Sequence, residues 1–144
     1  MSEDNEIISR RLIGFPRKLV WKAWTDPVHL ARWWGPKGFT NTFHQFDLRP
    51  GGEWVFVMHG PDGANFDNKS VFVEIVPQER IVFDHLSKPQ FRVTASFEEN
   101  IGRTDVTFRM TFKSADECAV LRAFVTKANE QNFDRIEDEL AKMI

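Results

Sequence analysis

The segment from Ser114 to Ile144 contains neither proline nor glycine, the two residues that most readily interrupt a helix. It opens with Ser114-Ala115-Asp116-Glu117, a capping box: Ser114 accepts from the N–H of Glu117, and Glu117 reaches back to the N–H of Ser114. Cys118, Leu121, Val125, Ala128, Asn132, Ile136, Leu140 and Met143 then recur at steps of three and four, the spacing of one helix face. Nearly everything before this segment reads as strand. A long helix beside many strands must bury its stripe on the sheet, and the sheet must bury one face on the helix. Ala119, Val120, Ala123 and Phe124 are apolar off the stripe, which predicts that the first half of the helix is covered on more than one side.

The upstream chain supplies the strands. Ile7, Ile8, Leu12 and Ile13 mark a first strand ended by Gly14. Pro16 suits the first position of a short helix carrying Leu19, Val20, Trp21 and Trp24. Asp26-Pro27 repeats the signal, with Asp26 as N-cap of a second short helix running to Trp33-Trp34. Gly35-Pro36-Lys37-Gly38 stops it. Strands are then predicted over Thr40 to Leu48, Glu53 to His59, Ser70 to Val76, Arg80 to Leu86, Phe91 to Phe97 and Thr104 to Phe112. In the last pair Val93, Ala95, Phe97, Val106, Phe108, Met110 and Phe112 alternate with polar neighbours, giving one dry face and one wet face. Successive strands joined by short loops pair as an antiparallel meander, and its right-handed twist curls the sheet. The expected fold is α+β, a single domain over residues 1–144 in which a curved sheet of about seven strands grips the terminal helix.

Composition narrows the function. Fourteen Phe and five Trp with no Tyr suit a dry interior or an apolar cavity better than a hydrogen-bonding surface. A net charge of -2 gives no general attraction to nucleic acid or to an anionic membrane. A single Cys rules out an internal disulfide and a cysteine-based zinc site. The start, MSEDNEIISR, is polar and unlike a signal peptide, and no run reaches membrane-spanning length, so a cytoplasmic protein is expected.

Several stretches in order resemble one family. They are Phe15-Pro16 to Pro27, Leu30 to Pro36, Asp47-Leu48-Arg49-Pro50-Gly51-Gly52-Glu53-Trp54, Gly60-Pro61-Asp62-Gly63, Phe72 to Phe83, and Thr104 to Thr107. Together they resemble the activator of heat-shock-protein-90 ATPase homologue-like family, within the START-like (SRPBCC, Bet v 1-like) helix-grip superfamily. The resemblance implies a helix-grip fold and, through the superfamily, small-molecule binding or cyclase- and hydrolase-like chemistry. Where such proteins often carry a Gly-Trp pair in the last helix, this chain reads Ala128 to Ile136 without one, so a ligand preference tied to that pair is not implied. Eukaryotic activators also carry a separate N-terminal domain important for chaperone binding. These residues hold no counterpart of it, so chaperone activation is not implied either.

The polar candidates are few. Pro50-Gly51-Gly52 joins two strands and lacks the phosphate-loop pattern, so it reads as a turn. His29, His44, His59 and His85 are scattered without ligand spacing, and neither metal nor cofactor is expected. Asp84 and His85 are adjacent in a strand and so point to opposite faces. Cys118 reads as core. In Ser70 to Val76 both faces are apolar, so alternation leaves the inner face open; the family pattern turns Phe72 inward and takes Glu74 with it. A carboxylate facing an apolar cavity needs a partner or a raised pKa.

The leading expectation is therefore a binding protein for an apolar or amphipathic small molecule, held between sheet and terminal helix. The expected lining comprises Trp54, Phe56, Met58, Phe72, Glu74, Ile81, Phe83, His85, Val93, Phe108 and Met110 from strands, with Leu121, Val125, Asn132 and Ile136 from the helix. Trp33-Trp34 stand where a cover for its mouth would be. Asn132 interrupts the apolar stripe and, if unpaired, would take its partner from ligand or water. An enzyme with Glu74 and His85 as acid–base pair is the alternative, and a stress-related chaperone adaptor acting through its surface is the third. A homodimer stays open.

Overall fold

In the computed structural model, which describes residues 4–144, the elements follow the expected order. The polar start read from Met1 to Glu3 lies outside those residues. Strand β1 (Glu6–Ile13) is followed by helices α1 (Arg17–Thr25) and α2 (Pro27–Trp33). Six strands come next: β2 (Thr40–Phe46), β3 (Glu53–His59), β4 (Asn65–Val76), β5 (Arg80–His85), β6 (Phe91–Asn100) and β7 (Arg103–Phe112). Helix α3 (Ala115–Met143) closes the chain.

All neighbouring strands pair antiparallel, in the order β1-β7-β6-β5-β4-β3-β2. The meander is as expected, and β1 joins it beside β7 by way of the two short helices. Strand β4 begins at Asn65, five residues before the predicted start, because Asn65 to Lys69 pair with β3 despite having no apolar alternation. Strands β6 and β7 likewise extend until only Ile101-Gly102 remain as the turn. Beyond twist, two bulges bend the sheet, one between Phe43 and Gln45 and one between Phe72 and Glu74.

Local chemistry places the helices. Asp26 caps α2, its Oδ1 accepting from the Val28 N–H at 3.0 Å, with Pro27 at the first helical position. Pro16 sits at the N-cap of α1 instead of inside it. Ser114 caps α3, its Oγ accepting from the Glu117 N–H at 3.1 Å. The second half of α3 buries Asn129, Phe133, Ile136, Glu139 and Leu140, and the helix packs on β1, α1 and α2. Arg11 of β1 reaches Glu130, Asp134 and Glu137 on α3, with its guanidinium over the Phe133 ring. Glu139, only 4% exposed, joins α3 to α2 through His29 at 2.7 Å and Arg32 at 3.4 Å.

The first half of α3 corrects the sequence reading. Val120 is 83% and Phe124 67% exposed, and Ala119 and Ala123 also face out. Only Cys118 and Val125 are buried there. That half is covered on one side, because the helix rests on the β1 side of the sheet and the curled sheet does not reach around it.

The Pro50-Gly51-Gly52 turn is structural. The Gly51 N–H donates to Phe72 O at 2.8 Å and the Phe72 N–H to Gly52 O at 2.9 Å, tying the turn to β4. A Cβ on Gly52 would lie 2.0 Å from the Asp47 carbonyl oxygen. Gly52→Ala is accordingly expected to cost roughly 2–4 kcal/mol, since backbone must move to admit it. A urea titration against wild type checks this, and a midpoint within error of wild type would refute it.

Candidate functional site: a cavity between sheet and helix

Because α3 grips one side of the sheet, a gap is left between the inner faces of β3 to β7 and the first half of the helix. It forms a cavity of about 370 Å³, within the usual range for small-molecule sites. Period-two alternation brings Trp54, Phe56 and Met58 of β3 to its wall, and Phe108, Met110 and Phe112 of β7 face it from across the sheet. Leu121, Val125 and Ala128 supply the helix side. Phe66, Phe124 and Lys88 line it and are exposed, so they mark its open side.

A loop forms the remaining wall. Trp34, Gly35, Pro36 and Phe39 all line the cavity, and this segment is held by Arg135 of α3. Arg135 Nη1 donates to the carbonyls of Trp34 (3.2 Å), Gly35 (2.7 Å) and Pro36 (3.0 Å), while Nη2 donates to those of Arg32 (3.0 Å) and Phe39 (2.9 Å). Burial pushes this guanidinium below its ordinary pKa, yet an arginine stays charged in proteins. Asn132 adds a sixth tie, its Oδ1 accepting from the Gly35 N–H at 2.8 Å. Gly35 has φ +104, and a Cβ there would lie 2.7 Å from the Met58 methyl.

One row of cross-strand neighbours carries the polar groups of the wall. Trp54 pairs with Ser70, and Ser70 with His85. Ser70 is 1% exposed, and its Oγ and the Trp54 Nε1 have no hydrogen-bond partner among the described residues. Such groups cost about 1–3 kcal/mol each when left unpaired. His85 stacks on Phe91, with ring centroids 4.6 Å apart. Its Nδ1 lies 2.9 Å from the Pro89 carbonyl oxygen, to which it donates, and its Nε2 lies 2.7 Å from Oδ1 of Asn68.

Burial holds His85 below its ordinary pKa near 6.5, with the Pro89 and Ser87 backbone contacts opposing. The folded state therefore binds fewer protons than the unfolded state as pH falls through 6.5. The contribution of the neutral ring is complete above 6.5 and is lost as pH descends toward the folded value. Stability of the wild type is expected to drop over that window, and His85→Gln to flatten the drop. Parallel slopes in the two proteins, measured by denaturant midpoint against pH, would refute this.

Of the residues expected to line a ligand cavity, the structure places Trp54, Phe56, Met58, Phe83 and His85 on this wall. Phe108, Met110, Leu121, Val125 and Asn132 are there too. Phe72, Ile81 and Val93 instead belong to the solid core. Ile136 borders a separate void of only about 10 Å³ beside Trp24, Trp33 and Phe133, scarcely room for a water. Trp33 is core, its Nε1 donating to Ala23 O at 2.9 Å.

Glu74 is a correction. The bulge after Phe72 inserts Val73, so Phe72 pairs with Phe83 while Glu74 pairs with Val82 and Ile75 with Ile81. One extra residue reverses the facing of everything after it. Phe72 points inward as expected, but Glu74 is exposed and pairs with Arg80 at 2.6 Å. Glu74 and His85 thus lie on opposite faces and form no acid–base pair. Asn132 is corrected as well: its oxygen has a protein partner, and the deeply buried amide is Asn129, whose Nδ2 donates to Ser9 Oγ at 3.2 Å. Asp84 faces outward, bonded to Arg92 at 2.8 Å. His59 contacts Thr42 and Asn65.

Ser70, Asn68 and Lys88 were not singled out by the sequence. Parity would have found two of them, since Asn68 and Ser70 precede Phe72 by even steps on the unbulged part of β4. No local signal marks Lys88 or Arg135.

The family model described as activator of Hsp90 ATPase homolog 1-like protein matches residues 14–141. No curated protein matches the sequence. Among solved structures, a protein from Nitrosomonas europaea superposes with a TM-score of 0.92 at 21% identity, covering 99% of this chain and 98% of that one. One from Arthrobacter aurescens gives 0.90 at 22% identity, covering 99% and 90%. An AHSA1-like protein from Aeromonas hydrophila gives 0.78 at 24% identity, covering 96% and 93%. At these identities the likeness is one of fold.

Proposed function

Because the chain belongs to the activator of Hsp90 ATPase homolog 1-like family, we propose that it binds a hydrophobic or amphipathic small molecule between sheet and α3. Family and fold supply only the frame, since one fold hosts many functions. The observation that carries the reading is a cavity of about 370 Å³ walled by Phe, Trp and Met, space that a packed core would have filled. A largely apolar ligand fits that lining.

The test uses the neutral fluorescent probe N-phenylnaphthylamine. Wild type is expected to give saturable fluorescence enhancement. Ala128→Trp, which projects an indole into the cavity from α3, is expected to abolish it, with Leu121→Trp as a second plug. Thermal melts of each variant establish that the fold persists. Enhancement that survives both plugs in folded protein would put the probe elsewhere and refute the reading.

A further inference from the structure

The cavity wall is electrically lopsided. Among its described lining residues there is no Asp or Glu, and Lys88 is the one with a permanent charge. Lys88 is exposed at the open side, in the turn between β5 and β6, and its ammonium has no ion pair or hydrogen bond among the described residues.

The turn itself is well anchored. His85 Nδ1 donates to Pro89 O at 2.9 Å, the Lys69 N–H donates to Ser87 Oγ at 2.9 Å, and Gln90 Nε2 donates to Leu86 O at 3.0 Å. A second ammonium, that of Lys113, donates to Gln90 Oε1 in the same turn at 2.5 Å. The nearest carboxylate in sequence, Asp84, is engaged by Arg92 on the outer face. A pinned turn thus presents an unneutralised cation to an apolar cavity.

The polar side chains of the sheet wall gather at this same end, while Asn129 and Asn132 stand on the helix side. Ser70 is the cross-strand neighbour of His85, Asn68 contacts His85 Nε2, and His85 contacts Pro89 next to Lys88. Phe39, Phe56, Phe83, Phe108 and Leu121 make much of the rest apolar.

Resting on the binding role argued above, we propose that the ligand is an amphipathic anion, with a carboxylate- or sulfonate-type head at Lys88 and its apolar body inside the cavity. A cation at the rim of a low-dielectric site attracts an anionic head more than it would in water, and it repels a cationic one.

Two probes sharing one aromatic skeleton isolate the charge: neutral N-phenylnaphthylamine and its anionic counterpart anilinonaphthalene sulfonate. Lys88→Ala is expected to weaken the sulfonate relative to the neutral probe by roughly two- to fivefold, the upper range for an ion pair at an exposed site. Lys88→Glu should weaken it further, and added salt should weaken it in wild type. The neutral probe should bind all three proteins alike and be expelled by Ala128→Trp. If the neutral probe is expelled by that plug but the sulfonate-to-neutral ratio is the same in wild type, Lys88→Ala and Lys88→Glu, the anion inference is wrong and the cavity reading stands. If neither probe binds folded wild type, the cavity reading fails and takes this inference with it.

Discussion

Arg135→Ala is expected to lower stability by about 3–4 kcal/mol and to weaken probe binding in the protein that still folds. The physical reason is the count of carbonyls that one guanidinium serves. Five backbone oxygens between Arg32 and Phe39 accept from Arg135, and among the described residues no carboxylate pairs with it. Trp34 O also accepts from Asn41 Nδ2 and Pro36 O from the Phe39 N–H, but Arg135 is the donor that ties all five carbonyls to α3. Trp34, Gly35, Pro36 and Phe39 of this loop form one wall of the cavity. For a chain of this size the melting temperature should fall by on the order of 10 °C. Arg135→Lys should recover less than half of the loss, because an ammonium is a point donor and cannot fork to separated acceptors. Full rescue by lysine, or probe affinity unchanged in the alanine variant, would show that the loop is held by something else.

A second large effect is expected at Trp54, the hub of the inner aromatic cluster. Its ring meets Trp34, Phe43, Phe46, Phe56, Phe72 and Phe83 at centroid distances from 4.6 to 6.2 Å. Trp54→Ala should cost about 3–5 kcal/mol through lost burial and the void left behind. Trp54→Phe should cost far less, roughly 1–2 kcal/mol, because the indole N–H it removes has no protein partner. The pair of variants separates packing from hydrogen bonding. Equal destabilisation by alanine and phenylalanine, read from denaturant midpoints, would mean that the N–H is satisfied after all.

The two effects differ in how far they could be foreseen. Trp54 sits in a strand where Trp54, Phe56 and Met58 alternate with Val55 and Val57, so the face it shares with Phe56 and Met58 is legible in consecutive residues, and the sheet's packing then turned that face inward. Arg135 is one more charged residue on a helix already rich in charge. Its role exists only because the chain returns a loop of carbonyls to it from about a hundred residues upstream.

Local rules account for much of the architecture. The Ser114 cap and the proline-free run that follows specify α3, Asp26-Pro27 specifies the start of α2, and period-two patterning specifies the inner faces of β6 and β7. These signals act through neighbours three or four residues apart, so they are written in consecutive positions. The sequence alone therefore determined a curved antiparallel sheet with a long terminal helix, and most of the apolar residues that face between them.

What the sequence left open has a common cause. Whether Glu74 faced in or out turned on one inserted residue, Val73, which the pairing of β4 with β5 decided. The exposure of Val120 and Phe124 depended on where α3 came to rest, and an apolar helix residue carries no mark of how far a sheet will curl around it. The orphan hydroxyl of Ser70, the loop clamp of Arg135 and the lone charge of Lys88 are properties of who stands opposite whom across the fold. Burial and partnership are set by contacts between distant segments, and only the tertiary structure decided them.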